Sequence, residues 1–556
     1  MDRDITRRHA VRTLGAAAAA LGAASTPPAA DQSIVDRNDR AVESYLRAQI
    51  ADPASRWSGS VPDEYLQHNA GSAGGLIEVL SAALIHPQSR FHGDRTLVDR
   101  IRLAAGFLER SQSPEGNIDL LSTNFNSPPD TGFVVHNVAT AAAIGKLYEA
   151  DELVRVLRPF LVKAAGGMAS GGIHTPNHRW VVTSALAQVN DLFPDPSYVH
   201  RIEEWLAEGV DIDEDGQYIE RSTVTYNTVT DRALVVMAAK LKRPALLDPV
   251  RRNLRAMLYL LHPDGEVVTE VSRRQDQFVR GTMQGYWFPL HYLALRDGDG
   301  QLASLVRQVA PEQARLSALL EYPELAAPLP ESQPLPDNYE RVFPAIGLAR
   351  IRRGPRDATM VSQDNSRFFS LRNGSAVIQG VRFAAAFFGK GQFVPASMSR
   401  AGGSYIFRQA LDAPYYQPLA PPQPVNWQNW ASLRERRRRT QICRLEQTAT
   451  VTGRENGFQL RIRSQGTDGV PLAIEIGFRE GGRIEGCRPA LHTADAWLLE
   501  RDFGVYRSGR DAIRFGPGSA PHLNTQLRGA EPKLAGQSVY ITGYTPFDHT
   551  LEFELL

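Results

Sequence analysis

The chain has 556 residues, enough for two or three domains of about 100–250 residues each. Its 42% hydrophobic and 22% charged content fits a folded protein with a large core and excludes a disordered one. The formal net charge is +1, which excludes the basic footprint of a nucleic-acid binder, so an anionic partner has to be met by local positive charge.

The first 30 residues read as a signal peptide. Arg7-Arg8 forms a twin arginine, Leu14 to Ala24 is a short Ala/Gly-rich apolar run, and small residues follow through Ala30. The apolar run is shorter than the ~20 residues of a membrane-spanning helix. The expectation is export by the twin-arginine route to the periplasm or beyond, with no membrane span. Cys443 and Cys487 are then candidates for one disulfide or for two buried thiols.

From residue 31 to 322 apolar residues recur at helical spacing. Helices are predicted over 41–51, 75–84, 97–110, 133–150, 151–165, 180–189, 198–210, 232–241, 246–261 and 284–295. Polar turns separate them: SPEGNIDL, NSPPDTG, GGIHTPN, DEDGQ and HPDGEV. Helix pairs recur at about 45–55 residues without a repeating motif, which favours an α/α toroid over a solenoid. Residues 323–340 are a Pro-rich linker, within the text EYPELAAPLPESQPLP and its continuation. Beyond it, over 341–556, the period becomes two. Short runs such as 376–388, 459–462, 472–478 and 538–542 are divided by Asn-Gly, Asp-Gly and Gly-Gly turns. The fold class expected is therefore multidomain α + β: an N-terminal toroid of helix pairs, then a C-terminal antiparallel β-sandwich.

Two polar clusters stand at helix starts. In His174-Thr175-Pro176-Asn177-His178-Arg179, Thr175 is placed to cap and Pro176 to begin a helix. Asn177 and His178 then fall in the first turn, where free N–H groups and the helix dipole favour an anion such as a substrate carboxylate. The second cluster lies in DIDEDGQYIERSTVTYNTVTDR, residues 211–232, with Glu220, Arg221 and Tyr226 ahead of an apolar run. Asp211, Asp213, Asp215 and Gly216 begin like a calcium loop. Ser222 stands at the twelfth position where glutamate is needed, so a solvated acidic turn is the reading and no cofactor is required. No zinc-type Cys/His grouping, P-loop or Rossmann glycine pattern is present.

Further polar groups precede inner helices. Asn124, Asn126, Asp130, His136 and Asn137 form one, and Glu270, Arg273, Arg274, Gln275 and Asp276 another; both are candidates for substrate contacts as well as for caps and turns. In the β half, Tyr405, Tyr415 and Tyr416 are candidates to reach the cleft. Trp427, Trp430, Arg434 and Arg436 to Arg439 combine aromatics with arginines, a pattern shared by glycan contacts and by ordinary solvated strand faces.

The segment Asp215-Gly216-Gln217-Tyr218-Ile219-Glu220-Arg221-Ser222, with Tyr226 after it and Asn177-His178 before it, resembles the heparinase II/III-like polysaccharide lyases and related alginate lyases. That family carries a second glycine where Gln217 stands, and no histidine follows Tyr226 here. The resemblance implies a toroid plus sandwich, and β-elimination on a uronic-acid-containing polysaccharide. Asn177 and His178 neutralise the carboxylate in that reading, and Tyr226 is the acid/base. His174, Arg179, Glu220, Arg221, Asn124, Asn126, His136, Arg274 and Tyr405 are then expected to contact an acidic poly- or oligosaccharide. Alternatives are a glycoside hydrolase built on Glu220 with Asp119, Asp130 or Asp215, a C5-epimerase, and a non-catalytic glycan-binding protein.

Overall fold

A computed structural model describes residues 26–556; the twin arginine and the apolar run lie outside the described residues. Twelve α-helices come first among the described residues, from Gln32–Ala48 to Leu316–Glu321. The helices Ala70–Ile85, Pro128–Leu147, Pro176–Leu192 and Tyr226–Lys240 pack each against the next and form the inner ring. Arg95–Ser111, Asp151–Ser170 and Pro196–Ala207 lie outside them. The inner helices are buried nearly all round: Pro176–Leu192 buries Asn177 through Val189 without a break. That is why they lack the one-sided apolar stripe of a surface helix.

The same turn recurs between an outer helix and the next inner one. Backbone N–H groups of Asp63, Ser113, Asp213 and His262 donate to the carbonyls of Gln67, Asn117, Gln217 and Glu266, at 2.7–3.0 Å. The third residue after each donor, Leu66, Gly116, Gly216 or Gly265, has φ between 59° and 106°. At Gly116 a Cβ would meet the Lys163 carbonyl oxygen at 2.1 Å, so glycine is required twice over. The structural unit repeats although the letters do not. The short helix Leu316–Glu321 closes the ring against Ala70–Ile85 and Pro128–Leu147, where Ser317 donates to Glu78 and Thr140 to Glu321.

The last helical turn of the N-terminal part is Pro323–Ala326, and the first strand of the C-terminal part is Asn338–Phe343. Eighteen strands follow in two facing sheets of eight and ten. Phe383, Ile474 and Phe369 from one sheet share a buried core with Leu460, Val451 and Phe553 from the other. Pairing is antiparallel except where Ala496–Leu498 runs parallel to Gln537–Tyr544. The thiols of Cys443 and Cys487 are unpaired.

The two parts are joined through charged groups taken out of water. Asp357 Oδ2 accepts from Arg350 at 3.0 Å and from His262 Nδ1 at 2.8 Å, and Arg350 also donates to the Leu261 carbonyl at 3.1 Å. All three side chains are buried. Burial works against a charged Asp357, but Arg350 and His262 outweigh it and hold the carboxyl well below its usual range. Nearby, Glu266 receives Arg280, Arg372 and Arg479. Asp357→Asn leaves Arg350 uncompensated, and we expect a loss of about 3–5 kcal/mol. Calorimetric melting checks this, and joint replacement by Asp357→Leu with Arg350→Met should recover much of it.

Candidate active site

A cleft of about 580 Å³ opens at the N-terminal ends of the inner helices. Its lining includes Asp119, Asn124, Asp130, Phe133, His174, His178, Tyr226 and Arg274. The two polar clusters found in the sequence are thus brought together, and the loop 269–279 joins them.

Tyr226 is the first residue of the helix Tyr226–Lys240. Thr225 makes no side-chain cap; Ser222 Oγ instead accepts from Tyr226 N at 3.0 Å. The half-buried ring lies under the Arg274 guanidinium, 5.1 Å from its centroid, and Gln275 Nε2 donates to the hydroxyl at 2.7 Å. Arg274 is itself held by its loop. Asp276 Oδ2 accepts from Val224 N at 3.1 Å, and Ser272 contacts Thr223 at 3.0 Å. The loop carrying the cation is therefore tied to the segment that carries Tyr226.

His178 faces the cleft next to His174, with ring centroids 4.6 Å apart and edge to face. Burial pushes its pKa down to about 4, with help from His174 and Arg274 against Asp130. The imidazole is consequently neutral at pH 7 and has a lone pair to offer. Phe133, edge-on to His178 at 6.4 Å, is an exposed aromatic in the cleft wall that the sequence reading passed over. An apolar ring in the first turn after Pro128-Pro129 was the available signal.

Asn177 is arranged differently from the sequence expectation. Its backbone N–H donates to Glu220 Oε1 at 3.0 Å, and its amide Nδ2 donates to both Glu220 oxygens at 2.9 and 3.0 Å. Thr175 makes no side-chain cap. The free N–H of this helix start has thus taken its anion from within the protein, so Glu220 rather than a substrate carboxylate occupies the place. Glu220 also lies 3.8 Å from Arg274. It is buried and ties Asn177, Arg274 and the segment leading to Tyr226 together.

The remaining expected contacts divide. Asn124 lines the cleft and donates to Asp130 at 2.9 Å; Asn126 is exposed and its N–H donates to Asp119 at 2.7 Å. Arg179 is spent on Glu208 and Asp211, at 3.0 and 2.7 Å. His136 is buried between helices against Ser184 Oγ at 3.0 Å, and burial holds its pKa down at about 3. Arg221 donates to Gln363 and to the Ala345 carbonyl, so it belongs to the junction between the two parts. Tyr405 sits inside the sandwich and donates to Glu340 at 2.6 Å. In the acidic turn, Asp211 takes Arg179 and Trp180, Asp213 takes Gln217 N, and Asp215 takes the N–H groups of Ala345 and Ile346. Among the described residues no group of three or more His, Cys, Asp or Glu side chains is placed to hold a metal ion.

No family model matches the chain, and no curated protein matches it. Solved structures do share its fold. A chondroitin AC lyase of Streptomyces coelicolor A3, solved in complex with chondroitin sulphate, superposes with a TM-score of 0.57 at 14% identity, covering 96% of this chain and 81% of that one. Heparinase III gives 0.54 at 12% identity, covering 95% and 85%. A Paenibacillus xanthan lyase gives 0.54 at 10%, covering 95% and 57%. The helical toroid followed by sheets is thus the fold of known polysaccharide lyases.

The buried Glu220 carboxylate organises this site, and its removal tests that. Glu220→Ala leaves the Asn177 donors and Arg274 without their acceptor. It should cost about 1–3 kcal/mol of stability, read as a lower melting temperature.

Proposed function

We propose that the protein is a polysaccharide lyase that cleaves a uronic-acid-containing polysaccharide by β-elimination. The observation that carries this reading is Tyr226 at the cleft, with a guanidinium over its ring, an amide N–H on its hydroxyl and the neutral His178 in the same wall. The carbon-bound proton next to a carboxylate is too weakly acidic to leave unaided, so the charge that develops on the carboxylate must be met. Arg274 is the cation placed to meet it. His178 takes the proton from carbon, the electron pair forms the new C=C bond, and the glycosidic oxygen leaves with a proton from Tyr226. Gln275 donates to the phenol oxygen and Arg274 lies over its ring as that proton departs. Asn177 acts as a positioning residue: its N–H groups fix Glu220, and Glu220 steadies Arg274. His174, Asn124 and Phe133 supply sugar contacts along the wall. The shared fold with chondroitin and xanthan lyases supports the reaction class.

Tyr226→Phe removes only the hydroxyl. Turnover on acidic polysaccharides, followed by the ultraviolet absorbance of the unsaturated uronic end, should fall by about 10²–10⁴-fold with the melting temperature unchanged. A saturated new end would assign hydrolysis instead, and an active Phe variant would remove Tyr226 from the chemistry.

Export of the folded protein through a twin-arginine route completes the proposal, since a polysaccharide substrate lies outside the cytoplasm. Arg7→Lys with Arg8→Lys should leave the uncleaved precursor in the cytoplasm on fractionation; normal trimming and export of that variant would refute it.

A further inference from the structure

A second concentration of unusual surface lies away from the cleft, on the long hairpin of strands Ser404–Tyr416 and Arg439–Arg454. Residues 417–439 hold five arginines and one acid, Glu435, a local balance of +4 in a chain whose total is +1. Exposed arginines elsewhere are commonly matched, as Arg461 is by Asp548 and Arg243 by Glu203. Arg434, Arg436, Arg437, Arg438 and Arg439 form no ion pair among the described residues. Beside them, Trp427 is 87% exposed, Tyr415 56% and Trp430 49%. So much bare indole is a liability on a surface with nothing to bind.

The loop is built to present these groups. Asn426 Oδ1 accepts from the N–H groups of Gln428 and Asn429 at 3.0 Å, Asn429 Oδ1 accepts from Asn426 N at 2.8 Å, and Asn429 Nδ2 donates to the Pro424 carbonyl at 3.2 Å. Leu433 is buried beneath and anchors the short helix Trp430–Glu435. The Arg437 guanidinium lies over Trp430 at 5.0 Å and that of Arg434 over Tyr416 at 5.8 Å. Trp427 has no ring partner among the described residues, so both its faces are open. A turn already fixed in shape loses little entropy on binding.

We infer that this loop is a second, non-catalytic binding surface for acidic polysaccharide. The proposal rests on the reading of the cleft as a site for such a polymer. The open indole faces of Trp427 stack on sugar rings. The unmatched guanidinia pair in fork geometry with carboxylate or sulfate groups. The exposed amides of Gln423 and Gln428 reach hydroxyls. A membrane surface also attracts arginine and tryptophan. Sinking Trp427 into hydrocarbon, however, would strip water from Asn426 and Gln428 on either side of it, at a cost no partner there offsets.

The test is electrophoresis of the full chain through native gels containing alginate, chondroitin sulfate or neutral dextran, with sedimentation on phosphatidylglycerol vesicles as the second arm. The wild-type protein should be retarded by an acidic polymer and not by dextran. Trp427→Ala with Trp430→Ala should weaken that binding by at least ~10-fold. Arg434→Ser with Arg438→Ser and Arg439→Ser should weaken it and flatten its dependence on salt. Turnover on a tetrasaccharide should stay within about twofold in both variants, since neither touches the cleft. The proposal is overturned if the tryptophan variant, with an unchanged melting temperature, binds as the wild type does. It is also overturned if the wild-type protein sediments with vesicles and is retarded by no acidic polymer. Retardation that depends on the loop without cleavage of any polymer sinks the lyase reading and leaves this one; cleavage with loop-independent binding does the reverse.

Discussion

The carboxylate of Glu220 is the contact on which the geometry of the cleft depends. A helix start offers unsatisfied N–H groups and the positive end of a dipole, and something negative has to be brought there. In the helix Pro176–Leu192 that anion is not its own N-cap residue but Glu220, 43 residues further on. One buried side chain thereby joins the helix start that carries His178 to the segment that leads into Tyr226, and it stands 3.8 Å from Arg274. A carboxylate buried in this way is tolerable only while its acceptor capacity is filled. Asn177 fills it with three donors, so the arrangement locks from both sides.

The sheets support the cleft without lining it. Arg221, one residue after Glu220, has φ of 48°, a strained value for a residue with a side chain. Its guanidinium reaches Gln363 and the Ala345 carbonyl on the β side, while Asp215 accepts from the N–H groups of Ala345 and Ile346. The turn that presents Glu220 and Tyr226 is therefore pinned at both ends by the neighbouring part. This also gives the charged groups of the junction a purpose beyond adhesion. A sliding interface would move Glu220, and buried contacts across it such as His262–Asp357 and Arg372–Glu266 tolerate little sliding because their partners cannot be replaced by water.

Most of the architecture was legible in the sequence, because a change of apolar period from 3.6 to two is a property of neighbours along the chain. The helix 128–147 begins five residues before the expected 133, since Pro128 and Pro129 suit a first turn and Ser127 caps it. The helix Gly300–Gln313 was not among those expected, although Leu302, Leu305, Val306 and Val309 recur at helical spacing and are buried. The two polar clusters were found by their place at helix starts. What each side chain does there was not legible, because the partners are distant in sequence. Thr175 is spaced as a cap and makes none; Asn177 looked free and is spent on Glu220. Arg179, Arg221, His136 and Tyr405 are polar residues whose partners, at Asp211, Gln363, Ser184 and Glu340, are supplied only by the fold. Arg274 was one of five polar residues in a run, and its stacking on Tyr226 and its place beside Glu220 separate it from Arg273.

On the proposed reading, an acidic polymer meets this protein without the help of net charge. At physiological salt, exposed charges act over about 8–10 Å, so the sum over 62 basic and 61 acidic residues matters less than how the cations are spent. Most arginines near the cleft and the junction are consumed by carboxylates: Arg179 by Asp211, Arg372 and Arg479 by Glu266, Arg382 by Glu475. Positive charge is left over where the matching is incomplete. Arg274 shares Glu220 with Asn177, its Nε 3.8 Å from the carboxylate, and the residue lines the cleft. Arg434 and Arg436 to Arg439 at the end of the hairpin form no ion pair among the described residues. On that reading, recognition of an anionic chain comes from the pairing pattern of the arginines and not from net charge, which is almost zero.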